Sequence, residues 1–258
     1  YTFYFDQDVA FYDGMDTLID EVYGDKTILN PRYAFGWARP EHTGTPGSGN
    51  VPRLSNNGIY LCAAEALSHN TSFFERLSRV DPDDFRQDHK PAVTVNSSKI
   101  YTAIVRTDGD NTVLIEGRGY AHWQRPERGT LPVGWGWLPD GADLLPGMMQ
   151  YYYRTRSAND YLLSGVGGRG YVMTTEMDQT FRDQFYAQSK QKLISLDMDI
   201  GWILEHLDLS QAQIDEYLDK TKVNGLLVNF FGDGSHGLGG TSQTPYFNSL
   251  NSYQVDPD

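Results

Sequence analysis

Short apolar runs rich in β-branched and aromatic residues alternate along this chain with polar, glycine-containing loops and with amphipathic stretches. The runs at residues 2–5, 33–37, 59–64, 100–105, 131–135, 161–165, 196–204 and 225–231 read as strands. Helical spacing marks residues 16–23, 112–123, 140–153, 177–193 and 211–220 between them. Gly24 stands where a C-cap closes the first helix, and Ser210 where an N-cap opens the last. Eight strands alternating with helices predict an α/β fold, a (β/α)8 TIM-like barrel with irregularities, over residues 1–234. A doubly wound open sheet is the alternative. Residues 235–258, rich in Gly, Ser and Asn, read as a tail packed on the surface.

Two stretches break the rhythm. Residues 38–50 form a polar loop carrying Glu41 and His42, too long for a simple connector, which favours a functional role. Residues 79–99 are charged and contain proline, and read as a surface excursion.

Charge narrows the function classes. The 258-residue chain carries a formal net charge of −13, which repels phosphate backbones and argues against nucleic acid and anionic membranes. A neutral substrate is the natural expectation. No apolar run approaches the roughly 20 residues that span a bilayer. The single cysteine, Cys62, lies in an apolar strand and reads as a buried hydrophobe. The chain opens on Tyr1 inside a strand-like run, the expectation being a mature chain or a piece preceded by a further domain amino-terminal to Tyr1. Aromatic residues make up 13% of the chain, including 17 Tyr and 5 Trp, and several of the Trp fall in loop contexts.

The acidic residues cluster by position. Asp108-Gly109-Asp110-Asn111 follows the run at 100–105, so it sits at the carboxyl end of a strand, where α/β proteins bind ligands. Asp6, Glu41, Glu65, Asp199 and Asp233 also lie near strand ends, alongside Trp37, Trp135, Trp137 and Tyr171. Carboxylates ringed by aromatic faces suit glycosidic-bond cleavage, in which one carboxyl protonates the leaving oxygen and another acts as base or nucleophile. A plain Asp-Gly turn capping the next helix is the structural alternative for residues 108–111. Oxygen ligands there would also suit Ca²⁺, although the EF-hand pattern is absent. His42 and His69 are too isolated to mark a metal site. Gly168-Arg169-Gly170-Tyr171 lacks the Lys-Ser/Thr of a P-loop and the dinucleotide glycine spacing, and no nucleophile elbow occurs. No cofactor is expected.

Residues 140–173, with Leu145-Pro146, Tyr151-Tyr152-Tyr153 and Gly168-Arg169-Gly170-Tyr171, resemble the signature region of the GxGYxYP family of putative glycoside hydrolases. Asp108-Gly109-Asp110-Asn111 resembles that family's other recurring block, and Gly36-Trp37, Glu41 and Asn70 fit its pattern. The motif departs at its end, where Met173 and Thr174 stand in place of Tyr and Pro. The resemblance implies a barrel-like catalytic domain of a bacterial sugar-processing protein, often preceded by a smaller amino-terminal domain.

The leading expectation is therefore a secreted or periplasmic glycoside hydrolase acting on an oligo- or polysaccharide. Asp108 and Asp110 would supply the base or electrostatic partner, and Glu65 or Glu41 the acid. Trp37, Trp135, Trp137 and Tyr171 would stack sugar rings, Asn70 and Asn111 would bind substrate, and Arg169 would hydrogen-bond hydroxyls or an anionic substituent. The rival readings are a non-catalytic carbohydrate-binding barrel and a metal-assisted polysaccharide-modifying enzyme.

Overall fold

The computed structural model describes residues 4–5, 17, 21, 32–36, 49–63, 81–89, 94, 96, 98–106, 109–205, 209–232 and 234–250. Its strands form three small sheets. The first is parallel, β1 (Tyr4–Phe5), β2 (Tyr33–Gly36) and β3 (Tyr60–Ala63). The second, also parallel, holds β4 (Val105–Arg106), β5 (Val133–Trp137) and β6 (Asp160–Ser164). The third runs β7-β8-β10-β9, from β7 (Ile200–Ile203) and β8 (Gly225–Gly232) to β9 (His236–Gly239) and β10 (Thr244–Leu250). Only β9 in that sheet is antiparallel to its neighbour.

Seven α-helices occur among the described residues: α1 (Asn50–Asn56), α2 (Thr112–Glu116), α3 (Arg118–Trp123), α4 (Gly141–Leu144), α5 (Pro146–Thr155), α6 (Gln179–Ser195) and α7 (Gln211–Thr221). Local chemistry sets their ends. Asp178 caps α6 by accepting from the Phe181 N–H at 2.9 Å. Ser210 and Gln213 form a capping box on α7, which Lys222 ends in the left-handed region at φ 59°. None of the described helices is long and apolar enough to cross a membrane.

The barrel expectation is overturned: the described strands make three separate sheets and no closed ring. A physical cause is visible between β6 and β7. These strands lie side by side in the same direction, since Tyr161 near the start of β6 bonds Asp199 just before β7, and Gly167 beyond β6 donates to Trp202 of β7 at 3.0 Å. Their ladder is nevertheless interrupted by a side chain. The buried Gln87 amide accepts from the Leu162 N–H at 2.9 Å and donates to the Leu162 carbonyl at 2.8 Å. It thereby takes the β6 groups that a ladder to β7 would use. The stretch read as a surface excursion thus plugs a seam between sheets, with Phe85 buried against Tyr153 at 5.1 Å between ring centroids.

Other expectations shift. The run at 100–105 is strand only at Val105–Arg106, and Ile100 is 96% exposed rather than buried. The predicted helices at 112–123 and 140–153 are each two pieces, divided at Gly117 and at Leu145-Pro146. The glycine-rich region beyond 235 supplies β9 and β10, and β10 lies inside its sheet between β8 and β9.

The largest core cluster centres on indoles. Trp135 and Trp137, two positions apart on β5, share a sheet face and stack at 6.0 Å with an interplanar angle of 8°. Tyr152 of α5 lies on Trp137 at 4.3 Å, and Trp123 of α3 meets Trp135 edge-on at 4.9 Å. At the carboxyl ends of β4, β5 and β6, main chain packs on main chain through Gly109, Gly136 and Gly165. A Cβ on Gly165 would lie 2.1 Å from the Gly109 oxygen, and one on Gly109 would lie 2.2 Å from the Gly136 oxygen. This contact pins the Asp110 loop to the neighbouring strand ends. Gly165→Ala is expected to cost about 3 kcal/mol of stability, as overpacking against immovable backbone. Denaturant titration checks it, and a loss below about 0.5 kcal/mol, the range of ordinary surface changes, would show that the loop shifts freely.

Candidate functional site

Parallel strands place their following loops at one end of the molecule, and four buried charged side chains lie at that end. Asp110 and Asn111 follow β4, Asp140 follows β5, the glycine segment with Arg169 follows β6, and Glu205 follows β7. Asp110, Asp140, Arg169 and Glu205 are all buried.

Asn111 is the N-cap of α2. Its side-chain oxygen accepts from the Leu114 N–H at 2.7 Å, while its amide donates to Asp110 Oδ1 at 2.8 Å. The helix cap therefore also orients a carboxylate. Cys62 of β3 lies close enough to feel Asp110 and Asp140. Burial pushes its thiol up to about 12, with those two carboxylates adding to the rise and hydrogen bonding with Thr112 opposing it.

Asp140 and Arg169 form a buried ion pair, with the guanidinium Nε donating to Oδ1 at 2.9 Å and Oδ2 at 3.1 Å. Tyr33 of β2 donates its hydroxyl to Asp140, and Gln188 of α6 accepts from Arg169 at 2.9 Å. Burial would depress the guanidinium, but the Asp140 charge and hydrogen bond more than compensate, so its pKa rises and it stays charged. Burial and Asp140 together keep the Tyr33 hydroxyl neutral, its pKa well above the ordinary phenol value.

The glycine segment holds the three sheets together. Gly167 and Gly168 take φ values of 78° and 70°, which side chains rarely adopt, and this turns the chain sharply beyond β6. Tyr171 then pairs with Leu61 of β3 through two main-chain hydrogen bonds at 2.9 and 3.1 Å. Met173 donates its N–H to Ser55 of α1 at 2.9 Å.

Glu205 ends this path. Its Oε1 accepts from the N–H and hydroxyl of Thr174, both at 2.6 Å, and its Oε2 from the Thr175 hydroxyl at 2.7 Å. Its own N–H donates to Asn229, which sits within β8 in the left-handed region at φ 54°. Burial pushes the Glu205 carboxyl up to about 7 despite the hydrogen bonds from Thr174 and Thr175. A carboxyl so placed exchanges a proton near neutrality.

The structure distributes the expected site residues unevenly. Asp110, Asn111 and Arg169 reach the carboxyl edge, although Arg169 spends its donors on Asp140 and Gln188. Trp135, Trp137 and Tyr171 are buried in the core, with no face open to a sugar. They are core because β5 and the glycine segment run through the interior. Asp199 belongs at the opposite, amino end of the strands. There Tyr161 donates to it, and His89 stands 3.4 Å from it and 2.9 Å from Asp197. The hydrogen bond to Asp197 raises the His89 pKa, while partial burial opposes it. Glu41, Glu65, Asn70, Trp37 and Asp108 lie outside the described residues, as do Asp6 and Asp233. Among the described residues no three metal-ligating side chains gather. Sequence reasoning missed Glu205, which follows β7 directly, and read Asp140 only as a helix start. The apolar run ending at Leu204 followed by a lone acid was the available signal.

Among solved structures, a crystal structure of a putative hydrolase from Bacteroides thetaiotaomicron VPI-5482 superimposes with a TM-score of 0.79 at 19% identity, covering 98% of this chain. The chain spans about half, 48%, of the length of that protein, and the likeness establishes the shared fold. No curated protein matches the chain. Residues 98–253 match the family described as GxGYxYP putative glycoside hydrolase C-terminal domain. That match includes the Asp110 loop, the Asp140–Arg169 pair, the glycine segment and Glu205, and the chain belongs to this family.

Proposed function

We propose that this chain is the part of a glycoside hydrolase that carries acid–base chemistry, with Glu205 as proton donor and Asp110 as its carboxyl partner. The observation that carries the reading is a pair of buried carboxyl groups on loops after parallel strands, at the edge where α/β enzymes assemble their sites. Glu205 is driven toward its protonated form by burial, so it holds a proton to deliver to a leaving glycosidic oxygen. Asp110 accepts a hydrogen bond from the Asn111 amide, which orients its carboxyl group at the end of β4. An ionised carboxylate there would activate water or stabilise the positive charge that develops on the sugar ring. Asp108, Glu41 and Glu65 remain candidates for the same edge on their sequence positions. The family name supports the substrate class, an oligo- or polysaccharide.

Two predictions follow from the assignment. Glu205→Gln and Asp110→Asn are each expected to lower hydrolysis of a susceptible glycan by about 10²–10⁴-fold, the range for loss of a general acid or base. Full activity in either variant, with the fold verified by circular dichroism, removes that residue from the chemistry.

The second concerns stability. The Glu205 carboxyl shifts from 4.5 to about 7, so the folded protein holds the proton more tightly than the unfolded chain. The stabilisation is complete below pH 4.5 and disappears as pH rises through 7, an effect of about 3 kcal/mol. Stability of the wild type relative to Glu205→Gln should therefore fall across that window. Parallel curves for the two proteins would show that Glu205 does not titrate there.

A further inference from the structure

We propose that Arg118 and Arg125, set around His122 beside the end of β5, form a subsite that holds carboxylate or sulfate groups of an acidic glycan. This deepens the hydrolase reading, on which the link to catalysis rests, by naming a substrate class. It also departs from the neutral substrate that the overall charge of −13 suggests.

Arg118 and His122 stand at positions i and i+4 on one face of α3, and Arg125 follows just beyond the helix end. All three side chains are exposed. The Arg125 N–H donates to the His122 carbonyl at 3.1 Å, which holds the turn against the end of the helix, and the Arg125 charge acts on the His122 ring. From below, Arg106 brings its Nε to 3.5 Å from His122 Nδ1. Burial lowers the His122 pKa first, and the charges of Arg106, Arg125 and Arg118 lower it further. The imidazole thus stays a neutral hydrogen-bonding group among cations.

Bringing like charges together costs free energy that a fold ordinarily offsets with carboxylates. Arg128, Arg154, Arg156, Arg169 and Arg182 each lie within 4 Å of an Asp or Glu oxygen. Among the described residues neither Arg118 nor Arg125 has such a partner. An external anion would supply it, and guanidinium groups suit planar carboxylates and sulfates in particular.

Position links the patch to the candidate site. Gly119 lets α3 lie flush on Trp137, the last residue of β5, since a Cβ there would come 2.6 Å from the indole. Arg106 ends β4, immediately before the Asp110 loop, and its guanidinium lies 5.3 Å from the centroid of the same indole. Arg106 therefore stands at the carboxyl edge of β4, and the exposed cations continue from it along α3, with Arg125 in the turn that leads back toward the amino ends of the strands. A glycan with its scissile bond at that edge would extend an acidic unit over α3.

The test measures retention of the whole chain by dextran, dextran sulfate and polygalacturonate, in the wild type and in the double variant Arg118→Gln/Arg125→Gln. The expected result is retention by at least one acidic polymer and none by dextran, weakened by added salt. The double variant should lose at least about tenfold in affinity for that polymer, while Lys190→Gln/Lys220→Gln on α6 and α7 keeps wild-type affinity. Equal retention of the Arg118/Arg125 variant, an equal loss in the lysine variant, or no retention of either acidic polymer by the wild type overturns the subsite. Hydrolysis is read separately on the same polymers and on neutral glycans. Arginine-dependent retention without hydrolysis of anything sinks the hydrolase reading and leaves the subsite. Hydrolysis of a neutral glycan at equal rates by wild type and double variant, with no acidic retention, does the reverse.

Discussion

The buried ion pair between Asp140 and Arg169 is the contact on which the rest of this structure depends. Removing either member would strand a charge in the interior, at a cost of about 3–5 kcal/mol, a large part of the stability of a typical domain. The pair also has geometric consequences. Asp140 begins the descent from β5 into α4, and Arg169 sits inside the glycine segment beyond β6. Tyr33 adds β2 to the network and Gln188 adds α6. Tyr60, opposite Tyr33 in the β2–β3 register, also reaches Gln188, at 3.4 Å. Sheets that share no ladder are thereby held in one arrangement by polar side chains.

This explains why the family's glycine motif recurs around an arginine in this chain. Gly167 and Gly168 make the turn, Arg169 enters the interior to meet Asp140, and Gly170 passes so close to Tyr60 that a Cβ would lie 2.7 Å from the Tyr60 Cβ. The departure at Met173-Thr174 acquires a physical meaning in the same way. A proline at 174 would have no N–H to offer. Thr174 donates both its N–H and its hydroxyl to Glu205, so the substitution adds two donors to a buried carboxylate. Met173 is fully buried, filling core in the position where the motif has tyrosine.

Much of the secondary structure was legible because β2, β3, β6, β8, α6 and α7 carry strong local signals: apolar runs of the right length, and caps such as Asp178 and Ser210. The assembly was not legible, because it rests on single side chains. Nothing in the local pattern shows that Gln87 occupies the main-chain groups of Leu162, yet that contact interrupts the β6–β7 ladder, one of the breaks between the three sheets. Residues 100–104 misled for the opposite reason: a β-branched run looks buried even where the chain only approaches the sheet, pairing through Ile104 with Gly134. The indoles of β5 misled because aromatic residues near strand ends serve cores as readily as ligands. Asp110 and Asn111 were visible from their turn, whereas Glu205 required knowing that Thr174 and Thr175 fold back onto the end of β7.

The two ends of the parallel strands divide their chemistry in a way that points to where reactions occur. At the amino end, Asp197 and Asp199 are partly exposed and satisfied by His89, Gln87, Tyr161 and Asn224. Hydrogen bonds from the Gln87 N–H and from His89 outweigh partial burial and lower the Asp197 pKa, which keeps that carboxylate ionised as a structural anchor. At the carboxyl end the balance reverses for Glu205, where burial outweighs even hydrogen bonds of 2.6–2.7 Å. An amide at that position would offer a single acceptor oxygen, whereas Thr174 and Thr175 donate to both oxygens of Glu205. The carboxyl end thus combines an anchor, Asp140 paired with Arg169, with a carboxyl group whose burial suits it to proton exchange, whereas Asp197 at the other end only anchors.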